Sequence, residues 1–143
     1  MNKPIRILIA DNDPIYAKDL KIFLNAQEGI QVVDIVRDGQ GAISAYKESL
    51  PDLVIVDLHL PVLDSVKTIQ AIIDHNEHAN IMCISAIAND RYAIEAVKAG
   101  ARGYVPKNGN ACYQDIAFAV QQIAGGEVVL DSTLALHILQ EFS

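Results

Sequence analysis

The sequence predicts an α/β fold, a doubly wound five-stranded parallel sheet with helices on both faces. Three observations lead there. Short apolar runs rich in Val and Ile alternate with stretches of helical period. Those runs are apolar at successive positions, as in parallel strands covered on both faces, and right-handed crossovers then distribute the helices to both sides. Four of the runs also end directly in polar residues, and the carboxyl ends of strands are where open parallel sheets gather functional groups.

The first strand is Ile5–Ala10 (IRILIA). Asp13-Pro14 reads as a helix N-cap with Pro at the first helical position. That helix carries Ala17, Leu20 and Leu24 on one face and is expected to end near Glu28-Gly29. Ile30–Val36 is the second strand, and Asp38-Gly39 opens a helix to about Glu48. Pro51 precedes the third strand, Asp52–Asp57, and a helix runs from about Asp64 to His75. Asn80–Ser85 is the fourth strand, followed by a helix over Asn89–Ala99 that Gly100 stops. The fifth strand is Arg102–Val105, and Asn110–Ala124 is a helix with Ile116, Val120 and Ile123 at helical spacing. After Gly125-Gly126, Glu127–Leu130 is extended. Asp131 or Ser132 then caps a last helix with Leu134, Ala135, Ile138, Leu139 and Phe142 on one stripe, expected to pack on the domain or join a dimer contact.

Bulk properties narrow the function. At 143 residues the chain suits one domain with a single core. Its formal charge of -7 and its lack of basic clusters argue against direct binding of nucleic acid. No apolar run approaches a membrane span, and the first residues lack the pattern of a signal peptide, so a cytoplasmic protein is expected. Cys83 and Cys112 match no metal spacing and are expected as reduced, buried or half-buried thiols. His59, His75, His78 and His137 do not form a metal set, and His75 and His78 read as solvated.

The residues at the strand ends carry the chemistry. Asp11-Asn12-Asp13 follow the first strand, Asp57 ends the third, Ser85 the fourth, and Lys107 follows the fifth. A carboxylate can attack a phosphoryl group to give an acyl phosphate, and such transfer needs positioning and positive charge more than covalent help. Acids after the first strand can hold a hard divalent ion such as Mg²⁺. A lysine can meet one phosphoryl oxygen as a point charge, and a hydroxyl can hydrogen-bond another. The set fits reversible phosphorylation of a carboxylate.

The motifs ILIADNDP, PDLVIVDLHLP, ISA and GARGYVPKN stand in the order and spacing of the receiver domains of bacterial two-component response regulators, and the chain resembles that family over about residues 5–124. The resemblance implies a CheY-like, flavodoxin-type sheet and a non-enzyme signalling role. It implies Asp57 as phosphoacceptor, Ser85 as the hydroxyl that senses the phosphoryl group, Lys107 as its pairing lysine, and Tyr104 as the aromatic switch. Mg²⁺ would be held by Asp11, Asp57 and the backbone carbonyl of His59, whose side chain would face the mouth of the site. A sensor histidine kinase is the implied phosphodonor, and a homodimer is a possible output.

The pattern is broken at Asn12, which stands where the family has its second acid. Its amide can offer a carbonyl oxygen without the charge, so weaker Mg²⁺ binding is expected. A pseudo-receiver, acting as an interaction module independent of phosphorylation, is the alternative reading. Asp13 is the neighbouring acid, but Asp13-Pro14 is better explained as the helix cap. Ser65 replaces the usual Gly after Asp64. A haloacid-type phosphatase is a poor match, because His59 occupies the place of that family's second acid.

The last segment, GGEVVLDSTLALHILQEFS, resembles the linker after the receiver in NarL/LuxR-type transcription regulators. The expected division is therefore a receiver domain over residues 1–125 and a linker with a helix over 126–143. The chain is expected to be a receiver cut from a longer regulator, or else a stand-alone variant. Any contact with DNA would run through a C-terminal helix-turn-helix domain that is missing from the sequence.

Overall fold

A computed structural model describes residues 3–87, 91–107 and 112–141. Strands β1 (Ile5–Ala10), β2 (Ile30–Val36), β3 (Leu53–Asp57), β4 (Ile81–Ser85) and β5 (Gly103–Pro106) form one parallel sheet in the order β2-β1-β3-β4-β5. Helices α1 (Pro14–Asn25), α2 (Gly39–Ser49), α3 (Ser65–His75), α4 (Tyr92–Ala99), α5 (Cys112–Ala124) and α6 (Ser132–Glu141) follow the strands in turn. The chain leaves β1 toward β2 and returns to the other side of β1 at β3. The carboxyl ends of β1 and β3 thus flank the switch point of the topology.

Alternate strand residues feed two cores. Ile7, Ile9, Leu53, Ile55, Met82, Ile84 and Val105 pack with α1 and α5. Leu8, Ala10, Val54, Val56, Ile81, Cys83 and Tyr104 pack with α2, α3, α4 and Leu134 of α6. Cys83 is buried and Cys112 half-buried, as expected of thiols in these settings.

The helix starts follow the sequence closely. Asp13 caps α1 by accepting from the N–H groups of Ile15 and Tyr16, both at 3.1 Å. Asp38 and Asp64 cap α2 and α3 by accepting from Gly41 at 2.6 Å and Lys67 at 2.9 Å. Of the two candidates before α6, Asp131 is the cap, accepting from Leu134 N–H at 2.7 Å. The expected starts of α4 at Asn89 and α5 at Asn110 lie outside the described residues.

Two ends differ from expectation. Helix α1 stops at Asn25, before Glu28-Gly29, because the Asn25 side chain turns out to accept from Val32 N–H of β2 at 2.8 Å. Gly29 then completes the turn at a positive φ of 80°. On α6, Leu134 is buried and Ile138 packs against the same core, but Leu139 is 67% exposed. Leu139 follows Ile138 by one residue, about 100° round the helix, so it leaves the stripe of which Leu134 and Ile138 are the seam. Phe142 lies outside the described residues.

The extended segment before α6 pairs with the edge of the sheet. Val129 bridges Gly103 in parallel, donating to Arg102 C=O at 2.9 Å and accepting from Tyr104 N–H at 3.0 Å. Lys98 of α4 and Glu141 of α6 add an exposed ion pair at 3.2 Å. No helix among the described residues is long and apolar enough to cross a membrane.

Candidate functional site

The residues singled out at the strand ends, Ser85 excepted, converge in a shallow cavity of about 350 Å³, lined by Asp11, Asn12, Asp13, Asp57, His59, Ala86, Ile87 and Lys107. Strands β1 and β3 are neighbours, so they bring Asp11 and Asp57 side by side. Lys107 comes from the far edge of the sheet. Its N–H donates to Ser85 C=O at 2.8 Å, which extends the β4–β5 pairing one step and turns the side chain inward.

The Lys107 ammonium joins both acids. Its Nζ lies 2.5 Å from Asp57 Oδ2 and 2.7 Å from Asp11 Oδ2. The other carboxylate oxygens are also engaged. Asp13 N–H donates to Asp11 Oδ1 at 2.9 Å, and His59 N–H donates to Asp57 Oδ1 at 2.7 Å. Both acids are buried, Asp11 almost fully. Burial pushes the Asp11 carboxyl above its ordinary range, against the opposing pull of its bonds to Lys107 and to Asp13 N–H. Burial works against the Lys107 charge as well, but hydrogen bonds and attraction from Asp11 and Asp57 outweigh it and leave the ammonium above its usual range. The three side chains form one salt-bridged cluster, with the Lys107 ammonium shared between the two acids.

The remaining expected residues divide into those at the mouth and those behind it. Asn12 is exposed at the mouth, beside the acids. Asp13 lines the same rim, yet its carboxylate serves as the α1 cap. The His59 ring is exposed and meets Tyr92 of α4 edge-on, with centroids 5.5 Å apart. Ser85 is fully buried, and its Oγ accepts from Ile87 N–H at 3.1 Å. Tyr104 is buried on the face toward α4 and α6, where it lines a groove of about 430 Å³.

Sequence reasoning missed two contributors. The Ser65 hydroxyl, read only as a replacement for Gly, donates to the backbone C=O of Asp57 at 2.5 Å and accepts from Leu60 N–H at 3.2 Å. It ties the acid to the start of α3. The second is Tyr16, whose ring centroid lies 4.3 Å from Lys107 Nζ. Only its place three residues after the Asp13 cap could have pointed toward the site. Between them, Pro61, Val62 and Leu63 make a γ-turn: Leu63 N–H donates to Pro61 C=O at 2.9 Å, with Val62 at φ 73°. A β-branched residue is strained there.

The oxygen donors at the mouth are the Asp11 and Asp57 carboxylates and the Asn12 amide, a set shared with the Lys107 ammonium and bordered by His59. The chemistry of that set suits a hard divalent cation such as Mg²⁺. Among the described residues, no group of three acids, histidines or cysteines converges for a metal.

Fold and site thus define a parallel α/β domain whose switch point holds a carboxylate pair neutralised in part by one lysine. Comparison with known proteins gives the class. The response regulator receiver domain family matches residues 7–112, and the chain belongs to that family. It is 30% identical to the transcriptional regulatory protein YhcZ of Bacillus subtilis over 94% of its own length and 62% of that protein's. It is 34% identical to the Fimbriae Z protein of Salmonella typhimurium over 87% of its length and 58% of that protein's. The chain spans less than two thirds of these curated relatives. A two-component response regulator of the LuxR family from Aurantimonas superposes with a TM-score of 0.87 at 26% identity, covering 98% of this chain and 99% of that one. The chain is a receiver domain of a two-component response regulator, and its fold is shared with a LuxR-family member.

Proposed function

We propose that this receiver is a phosphorylation-controlled switch in which Asp57 takes a phosphoryl group from the phosphohistidine of a sensor kinase in the cytoplasm. The observation that carries the reading is the Lys107 ammonium bonded to Asp57 and Asp11 at the mouth of the crevice. An Asp57 carboxylate oxygen attacks phosphorus as the phosphorus–nitrogen bond of the donor breaks. His59 N–H and Ser65 fix the carboxylate and its backbone for that approach, and Lys107 meets the incoming negative charge. Asp11, Asp57, the His59 carbonyl and the Asn12 amide would hold Mg²⁺, which when bound supplies charge for the phosphoryl oxygens.

Transfer would exchange the Asp57 contact with Lys107 for new bonds to the phosphoryl group. Ser85 would turn toward it, and Tyr104 would respond on the α4–β5 face. The output would be dimerisation or control of a DNA-binding helix-turn-helix domain, with residues 1–125 as receiver and 126–143 as linker. The similarity to transcriptional regulators longer than this chain supports that role. The test is labelling by acetyl phosphate with Mg²⁺, read by intact mass. Wild type should gain one phosphoryl group and Asp57→Ala none, with the fold intact by circular dichroism. Equal labelling of the two would remove the assignment.

Asn12 favours a second reading, a pseudo-receiver that works as an interaction module. The site carries one negative charge less than a three-acid site, and Lys107 occupies the Asp11 oxygen that a cation would want. Asn12→Asp should therefore lower the Mg²⁺ concentration needed for labelling by roughly tenfold, about 1.4 kcal/mol. If wild type never labels while Asn12→Asp does, the pseudo-receiver reading holds. If both label at the same Mg²⁺ concentration, Asn12 is neutral and the ordinary switch stands.

A further inference from the structure

We propose that Tyr16 is a positioning residue for Lys107, its ring fixing the ammonium at Asp57 so that the lysine is in place for phosphoryl transfer. The inference rests on the phosphoacceptor reading above. Lys107 is long, flexible and only 10% exposed, and it reaches Asp57 and Asp11 from the opposite end of the sheet order. Two carboxylates attract an ammonium without fixing it, because Nζ can trade one oxygen for another or for water. The Tyr16 ring, with its centroid 4.3 Å from Nζ, adds a third attraction of a different kind. A ring face draws a cation yet offers no competing carboxylate, and it denies water the area it covers. The ion therefore loses freedom to move while its hydrogen bonds stay directed at the acids.

The ring is itself well held. Tyr16 N–H donates to the Asp13 carboxylate, so the α1 cap fixes the residue within one turn of Asp11. Tyr113 of α5 packs against Tyr16 with its ring tilted by 57° and centroids 5.7 Å apart, and Phe23 backs Tyr113 at 5.6 Å. The Tyr16 hydroxyl is buried next to the Cys112 thiol, and burial together with Cys112, Tyr113 and Asp11 holds the phenol protonated far above its usual range. The ring thus meets Lys107 as a neutral face, and the hydroxyl is spare to that contact. Phenylalanine should replace it, and leucine, apolar but smaller and without a π face, should not, the loss of volume being separated from the loss of the ring face by the Lys107→Met background.

The experiment uses the whole chain with Tyr16→Phe, Tyr16→Leu, Lys107→Met and the Tyr16→Leu/Lys107→Met pair. Two quantities are read: the acetyl-phosphate labelling rate at saturating Mg²⁺ and the unfolding equilibrium in urea. Tyr16→Leu should label about fivefold slower or more, and Tyr16→Phe within about twofold of wild type. In the Lys107→Met background Tyr16→Leu should slow labelling no further, because the ring acts through the lysine. Equal rates for Tyr16→Leu and wild type, or the same slowing with and without Lys107, would overturn the proposal. The urea cycle does not depend on labelling. The unfolding penalty of Tyr16→Leu should be about fivefold larger in equilibrium constant with Lys107 present than with Met there. If wild type does not label, the phosphoacceptor reading fails while a coupled cycle upholds the contact; an uncoupled cycle removes the Tyr16 proposal whatever the labelling shows.

Discussion

The two faces of the sheet are built differently. On the side of α1 and α5, large side chains fill the layer: Leu20, Leu24, Ile116, Val120 and Ile123 are all fully buried, and an aromatic cluster rises beside them to Lys107. On the side of α2, α3 and α4, alanines supply much of the lining, with Ala42, Ala93, Ala96 and Ala101 among them. There a groove of about 430 Å³ between α4, β5 and α6 opens onto Tyr104. A lysine that must stay against two acids is served by close-packed neighbours, since dense interiors resist displacement. A tyrosine proposed to change position is served by small neighbours and nearby space. Under the proposed switch, one face holds and the other moves.

The largest test of that contrast is Leu20→Ala, which empties a fully buried position of the filled face. It should cost about 2–5 kcal/mol in urea unfolding, and a loss below about 1 kcal/mol would mean this face is not tightly packed. Leu134→Ala acts at the looser seam, where one buried residue anchors α6. The expected loss is about 2 kcal/mol or less, and hydrogen exchange should show it confined to α6 amides while the sheet stays protected. Protection lost through the whole sheet would make the tail an integral part of the core. The finest comparison pairs two alanines. Ala119→Val on α5 has no space to enter and should cost about 1–3 kcal/mol, whereas Ala93→Val, which borders the groove, should stay within about 1 kcal/mol of wild type. Equal penalties would dissolve the distinction between the faces.

Most of the fold was legible because its signals are local. Asp13-Pro14, Asp38 and Asp64 cap helices through side chains that reach only two or three residues along the chain. Strand ends were readable to within about a residue for the same reason, since polarity changes sharply at Asp57 and Ser85. The convergence of Asp11, Asp57 and Lys107 followed from strand order, a consequence of parallel topology. What escaped were contacts that local pattern does not encode. Ser65 bonds a carbonyl eight residues back, and Tyr16 meets a lysine from another element. The α6 stripe was overdrawn at Leu139 because an apolar residue in a helix does not say which neighbour will cover it. Asn12 shows the converse. Its departure from the acid pattern was plain in the sequence, while the effect proposed for it on cation affinity turns on a contact the sequence does not encode, that of Lys107 with Asp11.

The pairing of Val129 with Gly103 has a colloidal consequence. Those backbone bonds cover the outer edge of β5, and an uncovered edge strand is a template for another chain. Opening of the tail therefore frees more than a helix, for it bares a strand that carries Tyr104 and Val105. Damage to this segment should appear first as concentration-dependent association, before any loss of the sheet itself.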